Sequence, residues 1–167
     1  MGGRGGGAAR FEVRPARAGD AAAMAGLLNG IVAMGGATAH RGRFDAARIT
    51  ETFMAGRFAI GCFAATGAVG LQGFQALEWS DPDWPGDDRL PADWALIATF
   101  TAPEARRSGV GRALFAATAA AARDAGVRWI VAAIRRENRA AAAFYAALGF
   151  VDWHAGAETI SKRFAPG

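Results

Sequence analysis

The sequence has 167 residues, 52% hydrophobic and 20% charged, and carries a net charge of +4 at neutral pH. That length suits a single domain able to bury its own core, and the composition excludes an intrinsically disordered chain. A single cysteine, Cys62, excludes an intramolecular disulfide, no His, Cys and carboxylate cluster has metal-ligand spacing, and no apolar run is long enough to cross a bilayer.

In chain order, residues 1–10 are glycine-rich without periodic apolar positions and read as a mobile tail. The lack of a secretory hydrophobic segment there makes the cytoplasm the expected location. Residues 11–14 form a short strand closed by Pro15. Asp20 then stands where an N-cap belongs, before a helix whose Met24, Leu27, Leu28, Ile31 and Val32 share one face and which ends near Gly35 and Gly36. After an irregular stretch, Asp45 caps a second helix, with Phe44 and Ile49 as a hydrophobic staple and Gly56 as its end. Residues 57–65 and 68–79 read as two strands of a hairpin turning at Thr66-Gly67. Cys62, inside the first of them, reads as a buried thiol. Residues 78–93 make a turn-rich loop holding six carboxylates.

The stretch that follows organises the chain. Residues 94–101 are apolar on both faces, as in a strand covered on both sides of a sheet. Residues 112–125 are almost all alanine and end at Gly126, as a helix with a glycine C′ would. Between them, Arg106-Arg-Ser-Gly-Val-Gly111 supplies glycines that lack a blocking Cβ, main-chain N–H groups at a helix start and arginine side chains, which together suit a phosphate. Two phosphate loops are excluded. A P-loop needs Gly-Lys-Ser/Thr where this chain has Gly111-Arg112-Ala113, and a dinucleotide fingerprint needs a third glycine where Leu114 stands. These arginines account for much of the positive charge, and no basic stripe alternates with stacking aromatics, so no nucleic-acid partner is expected. A further strand at 127–134 precedes Asn138, which stands as an N-cap before a second alanine-rich helix carrying Tyr145, the only tyrosine. Residues 151–153 and 158–164 form the last strands.

The loop Arg106-x-x-Gly109-x-Gly111, followed by Asn138-x-x-Ala141 and Tyr145-x-x-x-Gly149-Phe150, resembles the GNAT superfamily of acyl-coenzyme A N-acyltransferases. The resemblance spans roughly residues 11–164, with its specific motifs between 100 and 150. It implies an α/β (α+β) fold: a mixed, mostly antiparallel twisted sheet of about seven strands, a splayed central parallel pair, and about four helices on both faces. Residues 11–167 would be one acetyltransferase domain. The implied reaction moves an acetyl group from acetyl-coenzyme A to a primary amine of a small molecule by direct attack, without a metal. A catalytically silent acyl-coenzyme A-binding module and a protein N-acetyltransferase are the alternatives. By the same resemblance Thr99, Phe100 and Thr101 sit at the splay, and the Thr101 main chain polarises the thioester carbonyl. Arg106, Arg107, Ser108, Gly109, Val110, Gly111, Arg112 and Ala113 hold the pyrophosphate, and Asn138 and Phe144 touch the coenzyme. Tyr145 becomes the general acid, though a tyrosine packed beside Phe144 with a bonded hydroxyl would read the same way. Ala95 stands where many relatives carry a basic glutamate, which leaves Glu78, Asp81, Asp93, His40 or a chain of waters as the base. Asn29, Thr38, His40 and Trp79 are candidates for the acceptor side. The acidic loop favours a polyamine or aminoglycoside, whereas the region around Thr38 is similar to amino-acid acyltransferases. No membrane partner is expected, and a homodimer through the last strands is permitted.

Overall fold

A computed structural model of the chain describes residues 10–35, 38 and 40–167. Its elements run β1 (Glu12–Pro15), α1 (Ala21–Met34), α2 (Ala46–Ile49), β2 (Ala59–Gly67), β3 (Gly70–Trp79), β4 (Trp94–Thr101), α3 (Val110–Ala125), β5 (Trp129–Arg135), α4 (Arg139–Ala147), β6 (Val151–Ala155) and β7 (Thr159–Phe164). The strands form one sheet in the order β1-β2-β3-β4-β5-β7-β6, antiparallel except where β4 lies beside β5. This is the expected mixed seven-stranded sheet with its central parallel pair.

Each face of the sheet is covered by what its facing side chains allow. On one face Met24, Leu28 and Ile31 of α1 pack with Phe44, Ile49, Phe53, Phe74 and Phe100, and Cys62 lies among them. Removing such side chains from water stabilises the fold by roughly 1.5–3 kcal/mol each. The Cys62 thiol is pushed up to about 12, chiefly by burial, which keeps it protonated and inert. On the other face the alanines of α3 and α4 let both helices approach closely, and Phe115, Ala119, Ala122, Tyr145 and Phe150 pack over Leu77, Ala95, Ile97 and Ile130. At the far end, the Arg163 guanidinium of β7 lies 4.0 Å from the Trp129 ring and 4.3 Å from that of Trp153.

Several local expectations shift. Asp20 makes no side-chain cap on α1; it instead accepts from the Arg17 N–H at 2.7 Å and pairs with both terminal nitrogens of Arg14 at 2.7 and 2.9 Å. The arginine offers charge and two parallel donors, which outcompete a single helix N–H. The hairpin turns at Ala68-Val69, not Thr66-Gly67, because Gly67 pairs with Gly70, so that β2 runs two residues further and β3 begins two residues later. Helix α3 starts at Val110, so Gly111 belongs to its first turn. Asp45 does cap α2, accepting from Arg48 N–H at 2.8 Å, and α2 continues as a π-type turn over Thr50–Met54. Gly36, Ala37, Ala39 and the tail before Arg10 lie outside the described residues.

Candidate active site

The site begins where β4 and β5 stop pairing. Their register extends only over Trp94↔Trp129, Ala95↔Ile130 and Leu96↔Val131, although β4 runs on to Thr101 and β5 to Arg135. The main chain of a strand alternates sides. Ala102 donates to Gln72 and Trp94 accepts from Ser80, both on the β3 side, so the even-numbered residues of β4 face β3. Thr99 and Thr101 therefore turn their N–H and C=O groups toward the gap, beyond the last β5 pairing. Among the described residues those groups form an unpaired edge in the middle of the sheet, able to bond an extended ligand as a further strand would.

The gap opens into a cavity of about 310 Å³ lined from both faces of the sheet. Thr38, His40, Thr52 and Phe53 line it on the α1 side, Glu78, Leu96, Thr99, Phe100 and Ala133 at the strands, and Arg135, Asn138, Ala141 and Tyr145 toward α4. Tyr145 is buried, and its hydroxyl lies 2.8 Å from Thr99 Oγ1. Burial drives the phenol up to about 12, with the Thr99 hydrogen bond pulling the other way. His40 packs edge-on to Phe44 and Phe53 with ring centroids 5.6 and 5.4 Å away. Burial, and then the charge of Arg48, lower its pKa and favour the neutral imidazole.

A second cavity of about 630 Å³ adjoins the first and shares Glu78, Leu96, Ala133 and Thr159 with it. Its wall brings Asp81, Asp87 and Asp88 of the acidic loop together with Trp79, Trp84 and Trp153. Glu78 thus borders both spaces. Burial raises its pKa, and the neighbouring charge of Asp81 adds to the effect.

The phosphate-suited loop leaves the end of β4 through a 3-10 turn at Pro103–Ala105. Arg107 has φ 62 and Gly109 φ 87, so the chain bends twice through the left-handed region before α3 begins. Such a bend converges N–H groups on one point, and those of Val110, Gly111 and Arg112 have no intrahelical acceptor. A Cβ on Gly109 would meet nothing within 4 Å, so the concavity is open there. Gly111 has another reason to be glycine: a Cβ would sit 2.7 Å from the Phe144 ring, which closes α4 onto α3. Arg106, Arg107 and Arg112 are exposed beside the bend, and Ser108 Oγ donates to the Ala105 carbonyl. The Ala113 N–H is engaged by Gly109 O at 3.0 Å and lies outside the open set. Asn138 caps α4, its Oδ1 accepting from Ala141 N–H at 3.0 Å, and it also borders the first cavity.

Of the acceptor-side candidates, Thr38, His40, Glu78, Trp79 and Asp81 line one cavity or the other, and Asn29 and Asp93 line neither. Both ends of the Asn29 amide bond the main chain of Phe44 at 2.8 Å, tying α1 to the start of α2. Asp93 lies beside Arg128 at 4.0 Å. A residue that sequence reasoning passed over is Gln75, fully buried on β3, whose Nε2 donates to Thr99 Oγ1 at 2.8 Å. An amide midway along a largely apolar strand was the signal for it.

The arrangement matches known proteins at two levels. Residues 50–150 match the acetyltransferase (GNAT) family. No curated protein matches the chain. Among solved structures, a GCN5-related N-acetyltransferase from Kribbella flavida is 23% identical, with 93% of this chain and 98% of that one covered at a TM-score of 0.77. A phosphinothricin acetyltransferase from Sinorhizobium meliloti, in complex with acetyl-coenzyme A, is 19% identical, with 93% and 88% covered at a TM-score of 0.75. A putative acetyltransferase from Salmonella typhimurium with acetyl-coenzyme A is 18% identical, with 94% of each chain covered at a TM-score of 0.70. At these identities the structures establish the fold, and the family match establishes kinship. The chain belongs to the GNAT family of acetyltransferases.

Proposed function

We propose that this enzyme acetylates a primary amine of a small, multiply cationic molecule by direct attack of the amine on the thioester. The observation that carries the reading is the single cavity across the β4–β5 gap with Tyr145 on one side and Glu78 on the other. Acetyl-coenzyme A supplies an activated acetyl group, and the open amides at the start of α3, with Arg106, Arg107 and Arg112, suit its diphosphate. The unpaired edge at Thr99 and Thr101 suits its extended arm. The Thr101 N–H points into the gap and polarises the thioester carbonyl as charge gathers on its oxygen.

Glu78 acts as the base. A carboxylate with a raised pKa is better matched to taking a proton from an ammonium, and this one borders both the reaction space and the acidic cavity. His40 borders only the reaction space, and Asp81 only the acidic one. The amine enters through the second cavity, where Asp81, Asp87 and Asp88 attract positive charge and Trp79 and Trp84 offer ring faces. Tyr145 protonates the departing sulfur.

Release of free thiol, measured with a triamine, an aminoglycoside and a set of amino acids, tests this. Turnover is expected with the first two classes, and Tyr145→Phe is expected to lower kcat about a hundredfold. Asp87→Asn with Asp88→Asn should raise the amine KM several-fold and leave the acetyl-coenzyme A KM unchanged. Turnover confined to amino acids would overturn the cationic acceptor. A Tyr145→Phe enzyme as fast as the parent would remove the general acid.

A further inference from the structure

We propose that Gln75 and Thr99 are positioning residues for the Tyr145 phenol, forming a relay that hydrogen-bonds the oxygen left behind when the phenol gives its proton to sulfur. The proposal rests on the reading of Tyr145 as proton donor and assigns roles to two side chains that donate nothing to the substrate themselves.

Three observations carry it. Gln75 and Thr99 are register partners on β3 and β4, so their side chains share the α4 face of the sheet. Gln75 Nε2 donates to Thr99 Oγ1 at 2.8 Å, and Thr99 Oγ1 lies 2.8 Å from the phenol oxygen. These distances make one unbroken chain of bonds ending at the cavity. The third is a defect: Gln75 is fully buried, yet its Oε1 has no hydrogen-bond partner among the described residues. An apolar side chain of the same length would leave nothing unpaired there. The amide therefore serves the bond it makes to Thr99 rather than the stability of the sheet.

The direction of that bond decides what the relay does. Thr99 has one proton and two lone pairs, and Gln75 occupies one lone pair. When the phenol O–H bond breaks, its electrons remain on the phenol oxygen and its proton completes S–H on the leaving thiol. The Thr99 O–H then donates to that oxygen, and the N–H behind it strengthens the donation. The phenol recovers a proton from solvent after the products leave. The ionisable groups sharing the cavity are Glu78, His40 and Arg135, and the phenol's hydrogen bond among the described residues is to Thr99 alone. Lowering of the phenol pKa by Thr99 agrees in sign.

Tyr145 is the only tyrosine, so its titration can be read in the whole protein without assignment. The test replaces tyrosine biosynthetically with difluorotyrosine, which ionises at lower pH, and follows the fluorine resonance against pH. Thr99→Val and Gln75→Met are expected to raise the midpoint by about half a unit or more, and Thr99→Ser to leave it in place. In steady state Thr99→Val should lower kcat about tenfold or more with the acetyl-coenzyme A KM within about twofold, and Thr99→Ser should restore it. Gln75→Met should melt no lower than the parent while losing about threefold or more in kcat, a split that a structural role would not give. On a Tyr145→Phe background Thr99→Val should change nothing further. An unmoved or lowered midpoint in Thr99→Val, or the same kcat loss with Tyr145 absent, overturns the relay. If Tyr145→Phe keeps the parent rate, the acid reading fails, and the fluorine titration still decides the relay.

Discussion

Asp20 shows how one side chain can serve a different master from the one its position announces. Its place ahead of an apolar-periodic run reads as a cap, but the nearby guanidinium of Arg14 takes both carboxylate oxygens and fixes β1 to the entry of α1. Those bonds hold its pKa down at about 2, with the Arg14 hydrogen bond as the leading cause. Because the folded value lies below the unfolded one of 3.8, the stabilisation is present above about pH 4 and disappears as the pH falls toward 2. Asp20→Asn should cost about 1–3 kcal/mol at pH 7, and the difference from the parent should vanish near pH 2 in urea melts taken at several pH values. The same limit on foresight applies to Asn29 and Gln75. Asn29 was legible as a polar residue near the acceptor side, but the partner that engages both ends of its amide lies fifteen residues away. Tyr145 was legible because its motif fixes its neighbours; its bond to Thr99 was not, since the strand and helix that meet there are 46 residues apart.

At the scale of elements, apolar runs and glycine stops revealed where strands and helices exist, and pairing decided where they end. The hairpin moved by two residues because Thr66 and Gly67 still find partners across the sheet in Leu71 and Gly70. The splay of β4 from β5 is a property of pairing, and no residue in either strand spells it out. The glycine loop was read for its open N–H groups, and the two glycines separate when the contacts are known. Gly109→Ala forces a non-glycine residue into φ 87 with nothing to clash against, at a cost of about 1–2 kcal/mol. That should lower Tm by about 2–8 °C and weaken coenzyme A binding in calorimetry. Gly111→Ala instead drives a methyl into Phe144, so the larger change is expected in α4, visible as loss of hydrogen-exchange protection around Tyr145.

Across the whole molecule, protection should follow the order of the sheet. β3 and β4 lie at its centre under helices on both faces, whereas β6 is an edge strand with every residue exposed, including Val151 and Trp153. Amides of β6 are expected to exchange first and those of β3 last, and the reverse order in a native-state exchange experiment would contradict the packing described. The acidic loop between β3 and β4 is the part whose placement was least legible. Composition alone fitted a solvated connection as well as a wall, and only its closure beside Glu78 and Trp153 makes a space of it.

The alternation of β4 divides the labour of recognition in an uneven way. On the proposed arrangement the extended arm of the acyl donor is gripped along β4 by amides and carbonyls, atoms that every residue but proline carries in full, while the acceptor meets carboxylates and indoles that a single codon change can remove. Donor and acceptor preference are therefore free to evolve separately: the strand edge that takes the donor's arm tolerates a change of side chain, and the wall that meets the acceptor does not.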